Sequence, residues 1–317
     1  MNSPSDNRGA ATPPDAAAAH PTDGAGPSKR RDPPALKPGL YLVATPIGNL
    51  GDLSARARDI LAVADLIACE DTRVTGRLLA ANGLSTKMTS YHDHSSPRTR
   101  DRLIQTLNDG KIVALVSDAG TPLVSDPGYR LVSAALEAEI YVTAAPGPSA
   151  PLTALVLSGL PTHRFMFAGF LPGKGGSRRT ALHEVAAVPA TLIFLESPRR
   201  LAGSLAAMND VLGDRPAAVA RELTKIYEEV RRGGLAELAE RYAAEDPPKG
   251  EIVVVVGPPG EDAAGVVNVD ALLAEALATM SVRDAAASVT AATGLPRKAI
   301  YSRALVLSRP DPGGEDS

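Results

Sequence analysis

The sequence contains one cysteine and no tryptophan, and aromatic residues make up only 3% of its 317 positions. A single cysteine excludes an intramolecular disulfide framework and any cysteine-clustered zinc or iron–sulfur site. We therefore expect a reducing, cytoplasmic setting and no bound metal. So few aromatic side chains also argue against a surface that recognises single-stranded nucleic acid by base stacking.

Long apolar runs and an excess of one charge are missing too. No segment approaches the ~20 apolar residues of a membrane span. The first residues lack the apolar core of a secretion signal, so we expect no membrane association. The net charge of −3, from 33 Lys and Arg against 36 Asp and Glu, argues against indiscriminate wrapping of nucleic acid. The motifs must therefore identify the function.

Residues 1–38 differ in composition from the rest of the chain. They contain eight prolines and eight alanines, but their only large apolar residues are Met1 and Leu36. Such a segment cannot bury enough surface to offset the entropy lost on ordering. We predict a disordered tail over 1–38.

From Gly39 onward, short apolar runs alternate with amphipathic stretches, which is typical of α/β folds with a largely parallel sheet. We predict an N-terminal α/β domain over 39–160, with strands at 40–45, 66–70, 112–117 and 140–144 and helices at 53–64, 73–82, 97–108, 126–138 and 148–158. A second α/β domain over 161–258 has predicted strands at 165–169, 191–195, 217–221, 226–231 and 252–256 and helices at 178–187, 198–211 and 234–244. The apolar run 252–256 indicates a central strand.

A small helical appendage is predicted over 266–310. Residues 261–280 carry four acidic groups and no basic one, whereas 281–310 carry five basic groups and one acidic group. Ser281 is placed to cap one helix, Thr293-Gly294 to end it and Pro296 to begin another. Either a helix-turn-helix-like unit or a plain helical hairpin packed on the second domain fits this pattern.

Three loops rich in glycine and proline follow predicted strands of the first domain, at 45–52, 117–122 and 145–150. In a parallel sheet such loops converge at the carboxyl ends of the strands, where ligands bind. The chain has neither a P-loop nor a G-x-G-x-x-G helix start. The loops offer backbone groups and few cations, which favours a ligand with an amino-acid head, an adenosine and little negative charge.

These loops, in this order, resemble those of the tetrapyrrole methylase superfamily, whose members use S-adenosyl-L-methionine. The resemblance narrows to its ribosomal RNA small subunit methyltransferase I family. It rests on 42–50 (LVATPIGNL), 68–73 (ACEDTR), 116–122 (VSDAGTP), 126–129 (DPGY), 169–172 (GFLP), 196–198 (ESP) and 220–225 (ARELTK), and it covers about residues 39–310.

The resemblance implies two α/β domains with the cofactor cleft between them, and a homodimer. It further implies methylation of the ribose 2′-hydroxyl of a cytidine in the decoding region of 16S rRNA, within the 30S subunit. The cofactor-binding residues that it implies are Pro46, Ile47, Gly48, Asp118, Ala119, Gly120, Pro122, Pro148, Ser149, Leu195, Leu223 and Gly250. The chain departs from relatives at Leu195, where an aromatic residue is common, and at Arg200, where histidine is common.

A ribose hydroxyl is a poor nucleophile while it keeps its proton, so a base or a stabilising cation would help the transfer. We predict that Glu70, Asp71 and Lys225 form the catalytic neighbourhood. Lys225 would either accept the proton through a depressed pKa or stay charged and stabilise the alkoxide.

Each of these candidates has a structural alternative. Glu70 and Asp71 would instead cap the following helix, and Lys225 would form an ordinary surface ion pair. His92 and His94 are too few to bind a metal and suit an exposed turn. Cys69 suits the core.

Contact with RNA requires localised positive charge. We predict it at Lys174, Arg178 and Arg179 in a flexible loop over 172–179, at Arg199 beside a helix start, and at Arg297 and Lys298 in the appendage. A solvated basic loop is the alternative. Two other functions stay open: methylation of a tetrapyrrole or a protein, and an RNA-binding assembly factor that has lost catalysis.

Overall fold

A computed structural model describes residues 36–93, 95–260, 269–293 and 296–308. The predicted tail, apart from residues 36–38, lies outside the described residues. His94, Gly294 and Arg309 also lie outside them.

The first lobe is built on a five-stranded parallel sheet in the order β3-β2-β4-β1-β5. The strands are β1 (Gly39–Val43), β2 (Leu66–Cys69), β3 (Met88–Ser90), β4 (Ile112–Val116) and β5 (Val142–Ala145). The helices are α1 (Ala55–Val63), α2 (Thr72–Ala81), α3 (Pro97–Asn108), α4 (Tyr129–Glu137) and α5 (Ala150–Ser158). Every strand and helix predicted for this part of the chain is present.

The apolar strands of this sheet are covered on both faces. One face, with Val43 and Ile67, packs under Ile60 of α1 and Leu79 of α2. The other packs under Leu103 of α3 and under α4. Burial of both faces explains why the strands are apolar throughout rather than alternating.

The second lobe contains a five-stranded mixed sheet in the order β6-β7-β10-β8-β9. Its strands are β6 (Phe165–Phe170), β7 (Thr191–Glu196), β8 (Pro216–Arg221), β9 (Glu229–Gly234) and β10 (Ile252–Val256). β10 is central, as predicted, and runs antiparallel to both neighbours. The helices α6 (Gly175–Ala186), α7 (Leu201–Leu212) and α8 (Leu235–Ala244) cover one face.

The strand predicted at 226–231 was placed too early. Glu222 and Thr224 adopt left-handed backbone conformations, with φ of 49° and 67°. The chain therefore turns sharply after β8, and pairing resumes only at Glu229. The side chains of Ile226 and Tyr227, which suggested a strand, are 93% and 72% exposed.

Helix α5 follows the last strand of the first sheet but packs on the second sheet. Its residues Ala154 and Leu155 are buried against Ile193, Val253 and Val255. Ile47, from the loop after β1, joins this cluster. The free face of the second sheet is thus closed by parts of the first lobe. We retain 39–160 and 161–258 as proposed domain ranges.

The described part of the C-terminal region forms three helices, α9 (Val269–Leu277), α10 (Val282–Thr293) and α11 (Arg297–Leu307). Their own small core contains Leu273, Val289 and Ile300. The Ser281 hydroxyl accepts a hydrogen bond from the Asp284 N–H and so caps α10, as predicted. Two α/β lobes with a helical appendage confirm the predicted fold class.

We expect the substitution Leu205→Ala to lower the free energy of unfolding by about 2–5 kcal/mol, because Leu205 is fully buried and its loss leaves a cavity beneath the second sheet. Urea unfolding measures this loss. The matched control is Leu136→Ala in α4, whose side chain is 59% exposed and should change stability by less than about 0.5 kcal/mol. Equal effects of the two substitutions would contradict this packing.

Candidate functional site

The three glycine- and proline-rich loops meet at one edge of the first sheet because β4, β1 and β5 are neighbours in it. Thr45 and Gly120 exchange two backbone hydrogen bonds, of 2.8 and 3.0 Å, which join the first two loops. The Thr121 hydroxyl donates to the Pro148 carbonyl at 3.1 Å and joins the second loop to the third. The loops therefore form one connected rim.

One edge of the second sheet supplies the opposite wall of the site. The carboxyl end of β7 and the start of β10 lie side by side there, with Glu196 paired to Ile252. Arg221 at the end of β8 pairs with the same Ile252. Antiparallel pairing thus gathers residues 195–198, 221–223 and 250–253 at one place.

A cavity of about 380 Å³ lies between the two edges. This volume suits a small organic ligand. Six of the predicted cofactor-binding residues line it, namely Ile47, Ala119, Gly120, Ser149, Leu195 and Gly250. The other six support this wall or lie beside it.

Five of those six residues belong to the loops of the rim without lining the cavity, and three of the five are prolines. Pro148 accepts the hydrogen bond from Thr121. Pro122 is buried and Pro46 is half-buried in the same loops. These prolines therefore belong to the rim but lie outside the lining of the cavity.

Contacts place the remaining three. Leu223 packs in the core beside Ile47. The Asp118 carboxylate accepts a hydrogen bond from the Asp71 N–H at 3.0 Å. Gly48 lies under the Lys225 side chain. Each of them ties the rim to a neighbouring element.

The lining of the cavity is mainly apolar with a few polar groups. Val124, Phe170, Leu195 and Val253 provide apolar surface. Ser149 precedes α5, and its side chain forms no cap bond to that helix. The first N–H groups of a helix have no partner within it, so this end of the cavity suits a carboxylate.

Glu196 is a buried carboxylate in the wall, within the 196–198 motif of the resemblance, to which the sequence analysis gave no role. Its oxygens accept hydrogen bonds from the Ser197 N–H at 2.7 Å and from the Ser204 hydroxyl at 2.5 Å. The Arg200 guanidinium pairs with it at 3.1 Å and also donates to the Leu171 carbonyl. The sequence held two signals for Glu196: its place in the 196–198 motif and its position at the end of an otherwise apolar strand.

Lys225 is held by two carboxylates, at 2.8 Å from Glu222 and 3.1 Å from Glu251. Burial by itself would lower the pKa of Lys225, but the hydrogen bonds to Glu222 and Glu251 outweigh it and raise that pKa. Of the two roles predicted for Lys225, that of a proton acceptor with a depressed pKa does not agree with this shift. The contacts agree with the charged role and with the ion-pair alternative.

A second, polar hollow lies at the carboxyl ends of β2 and β4. It is lined by Glu70, Asp71, Thr72, Arg73, Ser90, His92 and Asp118. Glu70 and Asp71 therefore share one hollow, whereas Lys225 lies outside its lining. Cys69, the residue before them, is buried in the core.

Asp71 has the capping role that was the structural alternative. Its side chain accepts a hydrogen bond from the Arg73 N–H at the start of α2. The Arg73 guanidinium also donates hydrogen bonds to the Asp71 carboxylate, with one N–O distance of 2.6 Å. These contacts lower the pKa of Asp71 to about 2, so it is a weak base. Glu70 differs, because burial and the negative charge of Asp118 raise its pKa.

Asp126 is a further carboxyl group at the site, in a segment that the sequence marked without giving it a role. It lines the cavity. Burial first, and then the charge of Glu70, raise the pKa of Asp126 to about 6, against an opposing hydrogen bond from Ser117. A pKa in this range is typical of groups that exchange protons in catalysis.

The predicted RNA-binding residues of the second lobe lie at the start of α6. This helix begins at Gly175, three residues before the predicted helix, so Arg178 and Arg179 are helical and the predicted loop over 172–179 is shorter. Arg178 donates to the carbonyls of Pro172 and Gly173. Arg179 pairs with Asp210 at 2.7 Å. Lys174 and Arg199 are exposed, as are Arg297 and Lys298 in α11.

Within the described ranges, no group of three or more His, Cys, Asp and Glu side chains could hold a metal ion. None of the helices described here is long and apolar enough to span a membrane.

Family models match most of the chain. The model for tetrapyrrole (corrin/porphyrin) methylases matches residues 39–239. The model described as the RsmI C-terminal HTH domain matches residues 263–308.

Curated proteins are similar over nearly the whole length. "Ribosomal RNA small subunit methyltransferase I" from Mesorhizobium japonicum is 54% identical over 88% of this chain and 95% of that protein. The protein of the same name from Erythrobacter litoralis is 54% identical over 86% of this chain and 96% of its own. The one from Micromonospora olivasterospora is 46% identical, over 87% and 89%.

Solved structures share the fold at low sequence identity. Diphthine synthase superposes with a TM-score of 0.54 at 16% identity, over 69% of this chain and 89% of that one. The methyltransferase CobJ superposes with a TM-score of 0.52 at 19% identity, over 69% and 94%. With the family model and the curated relatives, this evidence shows that the chain belongs to the tetrapyrrole methylase family and, within it, to the ribosomal RNA small subunit methyltransferase I family.

Proposed function

We propose that this protein is an S-adenosyl-L-methionine-dependent methyltransferase that methylates the ribose 2′-hydroxyl of a cytidine in the decoding region of 16S rRNA. The observation that carries the proposal is the apolar cavity between the three loops and the second sheet, in a chain of this family. The relatives' name, which specifies small-subunit ribosomal RNA, supports the substrate class. We assign the activity to the cytoplasm, where small subunits are available.

The cavity fits the cofactor that we propose. Its apolar walls at Ile47, Leu195 and Val253 suit an adenosine. The start of α5 at Ser149 suits the carboxylate of an amino-acid head. When bound, S-adenosyl-L-methionine supplies an activated methyl group, so the protein's main tasks are to position the acceptor and manage its proton.

We retain Glu70, Asp71 and Lys225 as the proposed catalytic neighbourhood, with roles that follow from their contacts. Asp71 fixes the start of α2 and orients Arg73 at the polar hollow. Lys225 stays protonated between Glu222 and Glu251 and would stabilise negative charge. Glu70 has a raised pKa and lies in the hollow that would receive the ribose.

The proposed RNA surface comprises Lys174, Arg178, Arg179 and Arg199, with Arg297 and Lys298 in the appendage. The loop before α6 and the start of α7 adjoin each other, because Arg200 donates to the Leu171 carbonyl. Phe170 and Pro198, at the same place, line the cavity. Cations beside the cavity would hold the phosphates that flank a target nucleotide.

The proposed homodimer is supported by α5. This helix is apolar on every side (APLTALVLS), yet Leu152 and Val156 are 48% and 69% exposed. These two residues lie one turn apart and so share a face. An apolar helix face exposed on a single chain is typical of an interface between subunits.

We expect the enzyme to transfer labelled methyl groups from S-adenosyl-L-methionine to unmodified 30S subunits, and nucleoside analysis to give 2′-O-methylcytidine. Naked 16S rRNA and a corrinoid substrate are tested beside the subunits. Methyl label found only on a nucleobase would contradict methylation of the ribose 2′-hydroxyl. Methyl label found in the corrinoid, but not in RNA, would favour a tetrapyrrole methylase. Absence of cofactor binding in calorimetry would favour a catalytically silent assembly factor.

Charge reversal at Lys174 and Arg199 should weaken binding to 30S subunits by about tenfold or more at ~0.1 M salt, and should leave cofactor affinity unchanged. The logarithmic salt dependence of binding should become shallower by about one unit per cation lost. The matched control reverses Lys87 and Arg102, which are exposed and outside the proposed surface. If both double variants weaken binding to 30S subunits equally, the loss follows from net charge alone, and the proposed RNA surface is contradicted.

The wild-type protein should sediment as a dimer, and Val156→Glu should sediment as a monomer, because the dimer would bury an unpaired carboxylate. Leu136→Glu, which changes an exposed leucine on α4 in the same way, should remain dimeric. A monomeric wild-type protein, or a dimer that survives Val156→Glu, would refute the assignment of this face.

A further inference from the structure

Asp126 lies where the cavity and the polar hollow adjoin. The hollow is lined by Asp118, and the next residue, Ala119, lines the cavity. Asp126 lines the cavity, while Glu70 in the hollow is close enough for its charge to act on it. A methyl donor in the cavity and an acceptor in the hollow would therefore meet beside this carboxyl group.

The loop that carries Asp126 is held in an unusual conformation. Leu123 and Ser125 have left-handed backbone angles, with φ of 73° and 63°. Such angles are unfavourable for side-chain-bearing residues and persist only where surrounding structure enforces them. Across the cleft, a Cβ at Gly169 would lie 3.4 Å from the Ser125 hydroxyl, so the loop approaches β6 closely. The backbone thus fixes the position of Asp126.

We propose that Asp126 is the catalytic residue that accepts the proton of the ribose 2′-hydroxyl. This inference rests on the proposed function. As the bond between the 2′-oxygen and the methyl carbon forms, the carbon–sulfur bond breaks and its electron pair stays on sulfur. The hydroxyl proton passes to the Asp126 carboxylate and then to water. The products are a methyl ether and a neutral thioether, so charge and atoms balance.

The other carboxylates at the site are less suited to this task. Asp71 is gripped by Arg73 and is a weak base. Glu196 is buried and already bonded to Ser204 and Arg200. Glu251 is neutralised by Lys225. Glu70 lines the hollow but not the cavity.

The charged groups that face Asp126 determine its pH dependence. Glu70 at the end of β2 and Asp118 after β4 both disfavour its carboxylate form, and the Ser117 hydroxyl favours that form. Glu196 and Glu251 line the same cavity from the second lobe. With a pKa of about 6, Asp126 is mostly ionised at neutral pH, and the transfer rate should fall as pH drops below that value.

The experiment compares wild type, Asp126→Asn and Glu70→Gln in single-turnover methyl transfer to unmodified 30S subunits between about pH 5 and about pH 9. The asparagine side chain keeps the size and one oxygen of the aspartate but cannot take the proton. We expect Asp126→Asn to lower the rate about 10²-fold or more, to abolish the acid limb of the pH profile and to leave calorimetric affinity for S-adenosyl-L-methionine unchanged. Glu70→Gln should move the acid limb to lower pH, because it removes a negative charge.

A second readout does not depend on activity. In protein labelled with ¹³C at the aspartate carboxyl carbons, the NMR resonance absent from Asp126→Asn should titrate with a pKa of about 6 and shift to lower pH in Glu70→Gln. The matched control is Asp109→Asn, an exposed residue after α3 at the opposite edge of the sheet. It should change neither rate nor profile.

Three outcomes would overturn the inference. Asp126→Asn with the wild-type rate and pH profile would exclude a proton acceptor. Asp126→Asn with weakened cofactor affinity and an unchanged acid limb would make Asp126 a cofactor-binding residue instead. If the Asp126 resonance titrates with the pKa of an ordinary aspartate, ionisation of Asp126 cannot explain the acid limb of the pH profile. The proposed function is tested by the wild-type protein alone: if it does not methylate ribose, that function is refuted before any variant is compared.

Discussion

The burial of α5 against the second sheet is the contact on which the site depends. The helix leaves the first sheet through the loop after β5 and then covers Ile193, Val253 and Val255 of the other lobe. Because Ile47 joins the same cluster, the loop after β1 is also tied to the second sheet. These apolar contacts hold the two sheet edges opposite each other, and the cavity is the space between them. Each lobe alone would leave its half of the site open to water.

The two halves of the site treat negative charge differently. In the second lobe, Glu196 is bonded to Arg200 and Ser204, and Glu222 and Glu251 share the Lys225 ammonium group. In the first lobe, Glu70 and Asp126 have raised pKa values, and the charge of Glu70 acts on Asp126. Carboxylates paired with cations stiffen a wall, whereas a carboxyl group with a pKa of about 6, such as that of Asp126, can exchange protons near neutral pH. This difference supports the proposal that the proton is accepted on the side of the first sheet.

Local patterns in the sequence were sufficient for much of the fold. Apolar runs bounded by glycine and proline predicted the strands of the first sheet, and Ser281 correctly predicted the cap of α10. The strand predicted at 226–231 was placed too early, because Ile226 and Tyr227 are apolar side chains on an exposed turn. No local pattern marks the left-handed angles of Glu222 and Thr224 that create that turn.

The candidate site could be predicted from the sequence only in part. Six of the twelve implied cofactor-binding residues line the cavity. The pairing of Lys225 with Glu251 depends on antiparallel pairing of β8 and β10, which hydrophobic periodicity does not encode. The role of Asp126 likewise depends on its closeness to Glu70, which follows another strand.

The contact between Gly48 and Lys225 has a consequence for how this chain can vary. A Cβ at position 48 would overlap the Cγ and Cε of Lys225, so the lysine side chain occupies the space that any other residue at 48 would need. Substituting Gly48 alone would displace the lysine from Glu222 and Glu251. A shorter side chain at position 225 would leave room for a side chain at 48, but the site would lose the ammonium group that pairs with Glu222 and Glu251. The space for side chains at the two positions, one in each lobe, is therefore shared, and a larger residue at 48 requires the side chain at 225 to move.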